Sequence, residues 1–232
     1  MNTLLANLQE KFNIIISKSR LRNILKDIGF VWKRAKKSLR NDRDQEDFEK
    51  AQKDIEVFED MHKRKEIKLC YFDGAHFSLT PSVPYAWQEK GHELELPSKK
   101  GGTQNVLGLM TPDQEFKSFS FETKINSETV IFAFDEFFKY KRNKEKVVII
   151  LDNAPVHKSD EFQEAIKRWK NKNIFFYFLP PYSPELNKIE ILWRFIKYSW
   201  LPLDSYLNKL NLADNLFYIL KNIGDKYRIT FS

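Results

Sequence analysis

The chain has 232 residues, a net charge of +7, and 42% hydrophobic and 15% aromatic residues, so it holds enough apolar material for a folded core and is not a disordered polyelectrolyte. No apolar run approaches the roughly 18 to 20 residues of a membrane span, and the first residues lack the basic-then-apolar layout of a signal peptide. A single cysteine, Cys70, excludes an internal disulfide framework and a cysteine-based zinc site, which points to the cytosol and to no membrane partner.

The first 40 residues predict a partial helix-turn-helix. Leucines at helical spacing mark a helix over 2–11. A second helix is expected over 18–28, after the N-cap residue Ser17 and before the stop signal Gly29. Its inward face is formed by Leu21, Ile24, Leu25 and Ile28. Its outer face carries the cations Lys18, Arg20, Arg22 and Lys26.

Charge is distributed unevenly along this N-terminal part. Residues 18–43 contain ten lysines and arginines against two aspartates, a net charge of +8, whereas residues 44–66 have a net charge of −4. The basic block predicts contact with the phosphates of nucleic acid, which Lys33 and Arg34 could extend along an arm after the second helix. The alternative is that these cations only solvate a small helical domain, since generic packing of two helices gives nearly the same pattern.

Residues 44–62 predict a strongly charged helix with one apolar side. That side is formed by Phe48, Ala51, Ile55 and Phe58. It is typical of a connector helix that packs on its own domain, and a dimer seam is the alternative.

From residue 67 onwards the pattern is that of an α/β domain. Strands are predicted at 67–79, near 84–89, and at 104–111, 115–122, 146–151 and 174–179. Helices are predicted over 127–141, 159–170, 188–200 and 204–224. Antiparallel strands followed by strand–helix–strand units describe a mixed sheet flanked by helices. The expected division is a helix-turn-helix segment over 1–40, a connector over 41–66, the main domain over 67–200 and a helical tail over 201–232 packed on it.

Three acidic residues stand where a structural protein rarely places them. Asp73 interrupts an apolar strand, Asp152 ends a continuous apolar run over 147–151, and Glu190 begins an apolar-striped helix. Two aspartates on adjacent strands and a glutamate on a covering helix could converge into an all-oxygen pocket. Such a pocket suits Mg²⁺ or Mn²⁺ and phosphoryl transfer.

Two long motifs around these acids resemble a known family. They are LDNAPVHKS (residues 151–159) and LPPYSPELNKIEILW (residues 179–193). In this order they are similar to the catalytic core of DDE transposases of the bacterial insertion-sequence branch of the Tc/mariner superfamily. The resemblance covers roughly 67–200, with a weaker match over 3–40 to a DNA-binding helix-turn-helix. It implies a ribonuclease-H-like fold, and a DDE catalytic domain over 67–200.

The same resemblance implies roles for individual residues. Asp73, Asp152 and Glu190 would be the three catalytic acids and the ligands of two Mg²⁺ or Mn²⁺ ions about 4 Å apart. Asn153 and His157 would stand beside the site and support it. Lys99 and Lys100, which precede a glycine pair, are further candidates for contact with DNA, although a solvated hairpin fits them equally well.

The family also implies what the protein acts on. Its members cut double-stranded DNA at the terminal inverted repeats of a transposon and join the 3′-hydroxyls to TA target sites, acting as a homodimer assembled on DNA. The location implied is the bacterial cytosol, on the nucleoid when bound. The rivals are an inactive or truncated DNA-binding remnant of a transposase and a ribonuclease-H-type host nuclease.

Some positions depart from the family or have another explanation. Lys188 stands where the family usually has proline. The family pattern also includes a first DNA-binding module before the helix-turn-helix, which this sequence does not contain, so a split or truncated element is expected. Glu190 lies three residues after Asn187, which is the spacing of a capping box. Glu185 is the competing third acid. His76 and His157, near the two aspartates, leave open a mixed histidine–carboxylate site for zinc or iron.

Overall fold

A computed structural model describes residues 2–31, 42–80, 90, 95, 102–142 and 144–230. Within it the chain forms two compact units, Met1–Leu39 and Arg40–Ser232. Several predicted features lie outside the described residues, namely the strand near 84–89 and the cations Lys33, Arg34, Lys99 and Lys100. The helices in the described ranges lack the length and apolar character that crossing a membrane requires.

The smaller unit contains two helices, α1 (Asn2–Phe12) and α2 (Lys18–Asp27). The Ser17 hydroxyl accepts from the backbone N–H of Arg20 at 3.2 Å, which is the N-cap predicted for α2. Leu21 is buried as expected, whereas Ile28 is 63% exposed. The prediction for Ile28 was wrong because α2 ends at Asp27, and Ile28 occupies the C-cap, outside the helical face.

In the larger unit, α3 (Gln45–Lys63) begins at Asp44, whose carboxylate caps two backbone N–H groups. Ala51 and Ile55 are buried in the core of the same unit. Phe58 packs edge-on to Tyr177, with ring centroids 5.3 Å apart. The apolar side of α3 therefore packs on the chain's own core and is not a free surface for a dimer seam.

Five strands form one mixed sheet in the order β3-β2-β1-β4-β5. Their bounds are β1 Lys68–Ser78, β2 Thr103–Met110, β3 Phe116–Phe121, β4 Val147–Leu151 and β5 Ile174–Phe178. The pairs β1–β2 and β2–β3 are antiparallel, and β1–β4 and β4–β5 are parallel. Four residues of β4 are fully or almost fully buried, which explains its continuous apolar sequence, because both faces of the sheet are covered.

Helices cover both faces of this sheet. They are α4 (Ser127–Phe137), α5 (Asp160–Lys170), α6 (Ile189–Phe195) and α7 (Lys209–Lys221). One core gathers around Phe134, Phe162 and Trp169 of α4 and α5. The other gathers around residues of α3, α6 and α7, including Trp193. The sheet is thus the middle layer between two apolar cores.

Three of these helices, α4, α6 and α7, differ from their predicted lengths. Helix α4 ends at Phe137 instead of residue 141, because Phe138 leaves helical geometry (φ −110°, ψ 13°) and the Lys117 side chain donates to the Phe137 carbonyl oxygen at 3.0 Å. The helix predicted over 188–200 is α-helical only to Phe195 and continues as a π-helix over Ile196–Trp200. The predicted tail helix is α7, preceded by a 3₁₀ turn over Leu203–Tyr206.

Candidate active site

The three predicted acids lie around one cavity of about 370 Å³. Asp73 lies within β1, opposite Gly108 of β2, and Asp152 is the first residue after β4. The parallel register pairs Tyr71 with Ile150, so two further residues bring Asp73 level with Asp152. Glu190 comes from the first turn of α6. We name this space, lined by Asp73, Asp152 and Glu190, the acidic cavity.

Asp73 and Glu190 are the partly buried members of the set. The removal of Asp73 from water, together with the charges of Glu190 and Asp152, raises its pKa to about 7, although the Gly74 N–H and the Trp193 indole oppose the shift. Burial also raises the pKa of Glu190, and Asp152 adds to that effect. Lys197 and Arg194 act on Glu190 in the opposite direction. The negative charge of Asp152 thus acts on both Asp73 and Glu190, as expected for acids that lie around one cavity.

Asp152 is the exposed member and is held by its neighbours. The Nδ1 atom of His157 lies 3.1 Å from Asp152 Oδ1 and 3.1 Å from the Asp152 carbonyl oxygen. Both partners are acceptors, so Nδ1 carries the hydrogen. The Ala154 N–H also donates to Oδ1, at 3.0 Å. Hydrogen bonding to His157 is the largest influence on Asp152 and lowers its pKa. His157 itself is buried beneath the loop.

Asp73 is held by a tryptophan on the apolar side of α6. The indole Nε1 of Trp193, on α6, donates to Asp73 Oδ2 at 3.0 Å. Gly108 leaves room for that ring, because a Cβ at this position would lie 2.6 Å from Trp193 Cη2. A glycine inside the apolar strand NVLGLM was the available sequence signal, since it indicates close approach by another group.

Asn187 joins the strand of Asp73 to the helix of Glu190. Its side-chain Nδ2 donates to the Phe72 carbonyl oxygen at 2.9 Å, and its backbone carbonyl oxygen accepts from the Glu190 N–H at 3.0 Å. The capping-box explanation of Glu190 is therefore wrong, because the Asn187 side chain is turned towards β1 and α6 has no side-chain cap. Among the described residues, the buried Asn187 Oδ1 has no hydrogen-bond partner.

Glu185 and Lys188 are engaged away from the acidic cavity. Arg43, just before α3, donates to Glu185 Oε1 at 2.6 Å, and Glu185 does not line the cavity. Lys188 pairs with Glu59 of α3, which also accepts from the Tyr71 hydroxyl. Lys188 thus attaches the start of α6 to α3.

The rim of the cavity is the rigid loop that follows β5. It includes Pro180, Pro181, Tyr182, Ser183 and Pro184. Tyr182 has φ of 59°, in the left-handed region that is costly for a side chain of this size. Asn153 donates to the Leu179 carbonyl oxygen and so joins the loop after β4 to this rim.

Comparison with known proteins identifies the family. The DDE superfamily endonuclease profile matches residues 68–223, about two thirds of the chain. The chain belongs to the DDE superfamily endonucleases. The match spans the strands and helices that carry Asp73, Asp152 and Glu190.

Two curated relatives of this DDE chain are bacterial. The "Insertion element IS630 uncharacterized 39 kDa protein" of Shigella sonnei is 26% identical over 176 residues, which are 75% of this chain and 50% of that protein. The "Uncharacterized protein y4pE/y4sA" of Sinorhizobium fredii (strain NBRC 101917 / NGR234) is 41% identical over 54 residues, which are 23% of this chain and 36% of that protein. The matches thus span half or less of these relatives.

Solved structures show the same fold as this DDE chain. The "Crystal structure of the Mos1 mariner paired end complex with Mn" aligns with a TM-score of 0.58 at 12% identity, over 95% of this chain and 71% of that one. The "Mos1 transposase paired-end complex with left transposon end" aligns with a TM-score of 0.55 at 13% identity over the same shares. The prediction of a ribonuclease-H-like mixed sheet flanked by helices, with helices before it, is confirmed.

The donor set of the DDE chain fits a hard divalent cation. Among the described residues, no three histidine, cysteine or acidic side chains already form a closed ligand group. The cavity lining includes three carboxylates and the amide of Asn187, whose oxygens suit Mg²⁺ or Mn²⁺. Burial and the neighbouring acids raise the pKa of Asp73, and a bound cation would lower it again by stabilising the ionised carboxylate. A mixed site with His76 does not fit, because its Nδ1 faces Asn105 Oδ1 at 2.9 Å, and His76 does not line the cavity.

The predicted DNA-contact residues are elsewhere in this DDE chain. Within the smaller unit, Lys18, Arg20, Arg22 and Lys26 are all exposed on α2. Their exposure is compatible with phosphate contacts. The structure provides no contact that tests those roles, so they remain predictions.

Proposed function

We propose that this chain is an insertion-sequence transposase that cuts DNA at the terminal inverted repeats of its element and joins the ends to target DNA. The observation that carries the proposal is the presence of Asp73, Asp152 and Glu190 around one cavity in a DDE-family domain. One curated relative comes from an insertion element, and one related structure holds a transposon end. A host nuclease of the ribonuclease-H type and an inactive remnant have less support, because the family match is specific and all three acids are intact.

The three acids would hold two divalent ions, Mg²⁺ or Mn²⁺. A Mos1 complex with Mn and one with Mg support this choice of metal. When bound, such ions supply an activated water or 3′-hydroxyl and neutralise charge on the attacked phosphate. The chain's own residues hold the carboxylates in place: Trp193 fixes Asp73 through Oδ2, and His157 fixes Asp152 through Oδ1.

Asn187 and Asn153 would hold the elements that carry the three acids in fixed positions relative to one another. Asn187 connects β1 to α6 next to Asp73 and Glu190, and Asn153 connects the Asp152 loop to the rim. Lys158 also lines the cavity and is exposed, so it can receive a phosphate of the bound strand. These contacts pre-organise the acids, which matters because the reaction depends on positioning and on charge.

The partner would be double-stranded DNA bound by a homodimer. The cations Lys18, Arg20, Arg22 and Lys26 on α2 would contact the backbone of the inverted repeats, aided by Lys33, Arg34, Lys99 and Lys100. Target sites would be TA dinucleotides. Because a transposon has two ends, two copies of the chain would act on one element. DNA cleavage would then take place at the acidic cavity, and α2 would anchor the DNA.

The test is strand-specific nicking of a labelled duplex that carries one inverted repeat and its flanking TA. We expect wild-type protein with Mg²⁺ or Mn²⁺ to cut at the end of the repeat, and Asp152→Asn to be inactive while retaining its circular dichroism spectrum. Cutting by Asp152→Asn at the wild-type rate would contradict the proposal. Preferential cutting of the RNA strand in an RNA–DNA hybrid would favour the host nuclease instead.

A further inference from the structure

A second and larger cavity of about 680 Å³ lies at the opposite end of the sheet from Asp152. It is bordered by the start of β1, the end of β2, the start of β3 and the segment that precedes β4. Lys68, at its edge, is five residues before Asp73, a distance of about 17 Å along a strand. This cavity is therefore separate from the acidic cavity.

The lining of this cavity is strongly basic. Six cations border it: Lys65, Lys68, Lys117, Lys141, Arg142 and Lys144. Two acids, Glu115 and Glu145, offset them in part, which leaves a formal charge of +4. The floor is apolar and includes Leu109, Phe137 and Phe138. We name this site the basic groove.

Three of these cations hold the groove's wall together. Lys141 donates to the carbonyl oxygens of Arg142 and Lys172, at 2.9 and 2.8 Å, and Lys117 donates to that of Phe137. Lys68 pairs with Glu115 at 2.5 Å. The other three, Lys65, Arg142 and Lys144, are exposed at the mouth of the groove.

The segment after α4 interleaves cations with aromatic residues. Residues 138–146 read FKYKRNKEK. Tyr140 is 89% exposed, and the Lys139 ammonium lies 5.9 Å from the centre of its ring. An exposed tyrosine has no packing reason for this position. Aromatic rings among lysines and arginines are a common means of contacting nucleic acid.

The arrangement fits an extended polyanion better than a compact phosphate ligand. Compact phosphate sites use backbone N–H groups at helix N-termini or glycine-rich loops. Here the groove meets the carbonyl end of α4, and Lys117 already occupies the Phe137 oxygen. The exposed cations are on long flexible side chains spread along the mouth. Such cations suit the evenly spaced phosphates of a nucleic-acid strand.

We propose that the basic groove binds the sugar–phosphate backbone of duplex DNA, as a contact separate from the acidic cavity and from α2. The occupant is DNA because the proposed reaction brings DNA to this domain, so the inference rests on the proposed function. A duplex advances about 3.4 Å per base step, and the edge of the groove at Lys68 is about 17 Å from Asp73, so the contact lies roughly five or more steps from the reacting phosphate or on a second duplex. Lys65, Arg142 and Lys144 make the contacts, and Tyr140 packs on the sugar edge.

The first experiment measures how DNA affinity depends on salt for the full chain. Removing the groove's contacts in Lys65→Ala/Arg142→Ala/Lys144→Ala should reduce the slope of log affinity against log salt by about 2 to 3, since each phosphate contact contributes about 0.9. The matched control is Lys50→Ala/Lys53→Ala/Lys221→Ala, which removes the same charge from exposed positions on α3 and α7. The control should keep the wild-type slope.

The outcomes separate this proposal from the proposed function. If the groove variant and the control had equal slopes while the wild-type protein nicked DNA, the proposed role of the basic groove would be wrong and the transposase proposal would stand. Wild-type protein that neither binds nor nicks DNA would overturn both. A smaller slope for the groove variant alone supports the groove.

The second experiment locates the contact directly. Cys70 is the chain's one cysteine, and burial raises the pKa of its thiol to about 12, so an introduced surface cysteine reacts selectively. A DNA-cleaving iron chelate tethered to Lys144→Cys should cut bound duplex at a few adjacent positions. The same chelate on Lys53→Cys is the control and should cut weakly. Equal, diffuse cutting from both positions would overturn the proposal.

Discussion

Trp193 and Asp73 are 120 residues apart in the chain and joined by a hydrogen bond of 3.0 Å from the indole Nε1 to Oδ2. The bond connects α6, which carries Glu190, to the central strand β1. It also favours the ionised form of Asp73, against the burial and the acidic neighbours that raise its pKa to about 7. Trp193 is therefore a positioning residue for the proposed site as well as part of the core.

Replacing Trp193 by phenylalanine should move the pH dependence of nicking. Without the indole donor the pKa of Asp73 rises further, so we expect the acidic limb of the rate profile to move to higher pH, by up to about one unit. The control is Trp169→Phe, which loses a similar bond, from Trp169 Nε1 to Asp135 at 2.8 Å, in the other core. The control should lose stability without moving the profile. An unchanged pH–rate profile in Trp193→Phe would contradict the positioning role of Trp193.

Gly108→Ala should disturb the same arrangement through packing. The added Cβ would meet Trp193 Cη2 at 2.6 Å and Phe116 Cε2 at 3.0 Å, so the indole must shift. Overpacking of this kind costs about 1 to 3 kcal/mol, or very roughly 2–4 °C in melting temperature for each kcal/mol. Gly74→Ala is the stability control, because its nearest contact would be an ordinary 3.4 Å to Leu107. Equal melting temperatures for the two variants would contradict this account.

The sequence predicts the acids better than it predicts what holds them. Asp73, Asp152 and Glu190 are recognisable because each stands beside a periodic apolar element, and because two long motifs occur in a known order. The bond from Trp193 to Asp73 is a contact between distant segments, and a tryptophan on an apolar helix face looks like core. Asn187 misleads for the same reason: its spacing from Glu190 indicates a local cap, whereas its partner is the distant Phe72 carbonyl.

Element ends were the less predictable part of the fold. Strand β4 follows directly from its apolar sequence, since a strand covered on both faces needs no alternation. Helix α4 stops four residues before its predicted end at residue 141, where the apolar period gives no sign of a stop. The closing contact there comes from Lys117 on a neighbouring strand. The local periodicity of the sequence does not reveal tertiary contacts of this kind.

The acidic cavity should make the metal-free protein less stable as pH rises. The folded-state pKa of Asp73, about 7, is above its ordinary value of 3.8. Its contribution to stability is therefore fully present below about pH 4 and is lost as pH rises through 7. In EDTA, we expect the melting temperature of wild type to fall between pH 5 and 8 more than that of Asp73→Asn. Parallel curves for the two proteins would contradict the shift.

Adding metal should reverse that loss. Binding to the native state alone stabilises by about 2.7 kcal/mol at a hundredfold excess over the dissociation constant, so millimolar Mg²⁺ or Mn²⁺ should raise the melting temperature at pH 8. The effect should shrink at pH 6, because a protonated Asp73 must lose its proton on binding. Asp73→Asn/Asp152→Asn should lose the response. A shift of the same size in that double variant would show that the ions bind elsewhere.

Glu190 and Glu185 can be told apart by matched substitutions. Glu190→Gln removes a cavity-lining charge, and should abolish nicking of the inverted-repeat duplex. Glu185→Gln removes the negative charge that pairs with Arg43 outside the cavity, and should keep nicking within a few-fold of wild type while lowering stability by about 1 kcal/mol or less. The measurement is single-turnover nicking with melting curves for both variants. The reverse pattern would assign the third acid to Glu185.

The exposed cations of α2 should anchor DNA without reading its sequence. Arg20, Arg22 and Lys26 are on long, flexible side chains at the surface, where phosphate contacts add affinity but carry little sequence information. Replacing all three by alanine should weaken binding to inverted-repeat and scrambled duplexes alike, and reduce the salt slope by about 2 to 3. Competition between the two duplexes at about 0.15 M salt measures this. If the variant lost affinity only for the inverted-repeat duplex, α2 would be reading bases. Bidentate contacts of arginine to guanine are each worth about 1–3 kcal/mol of discrimination.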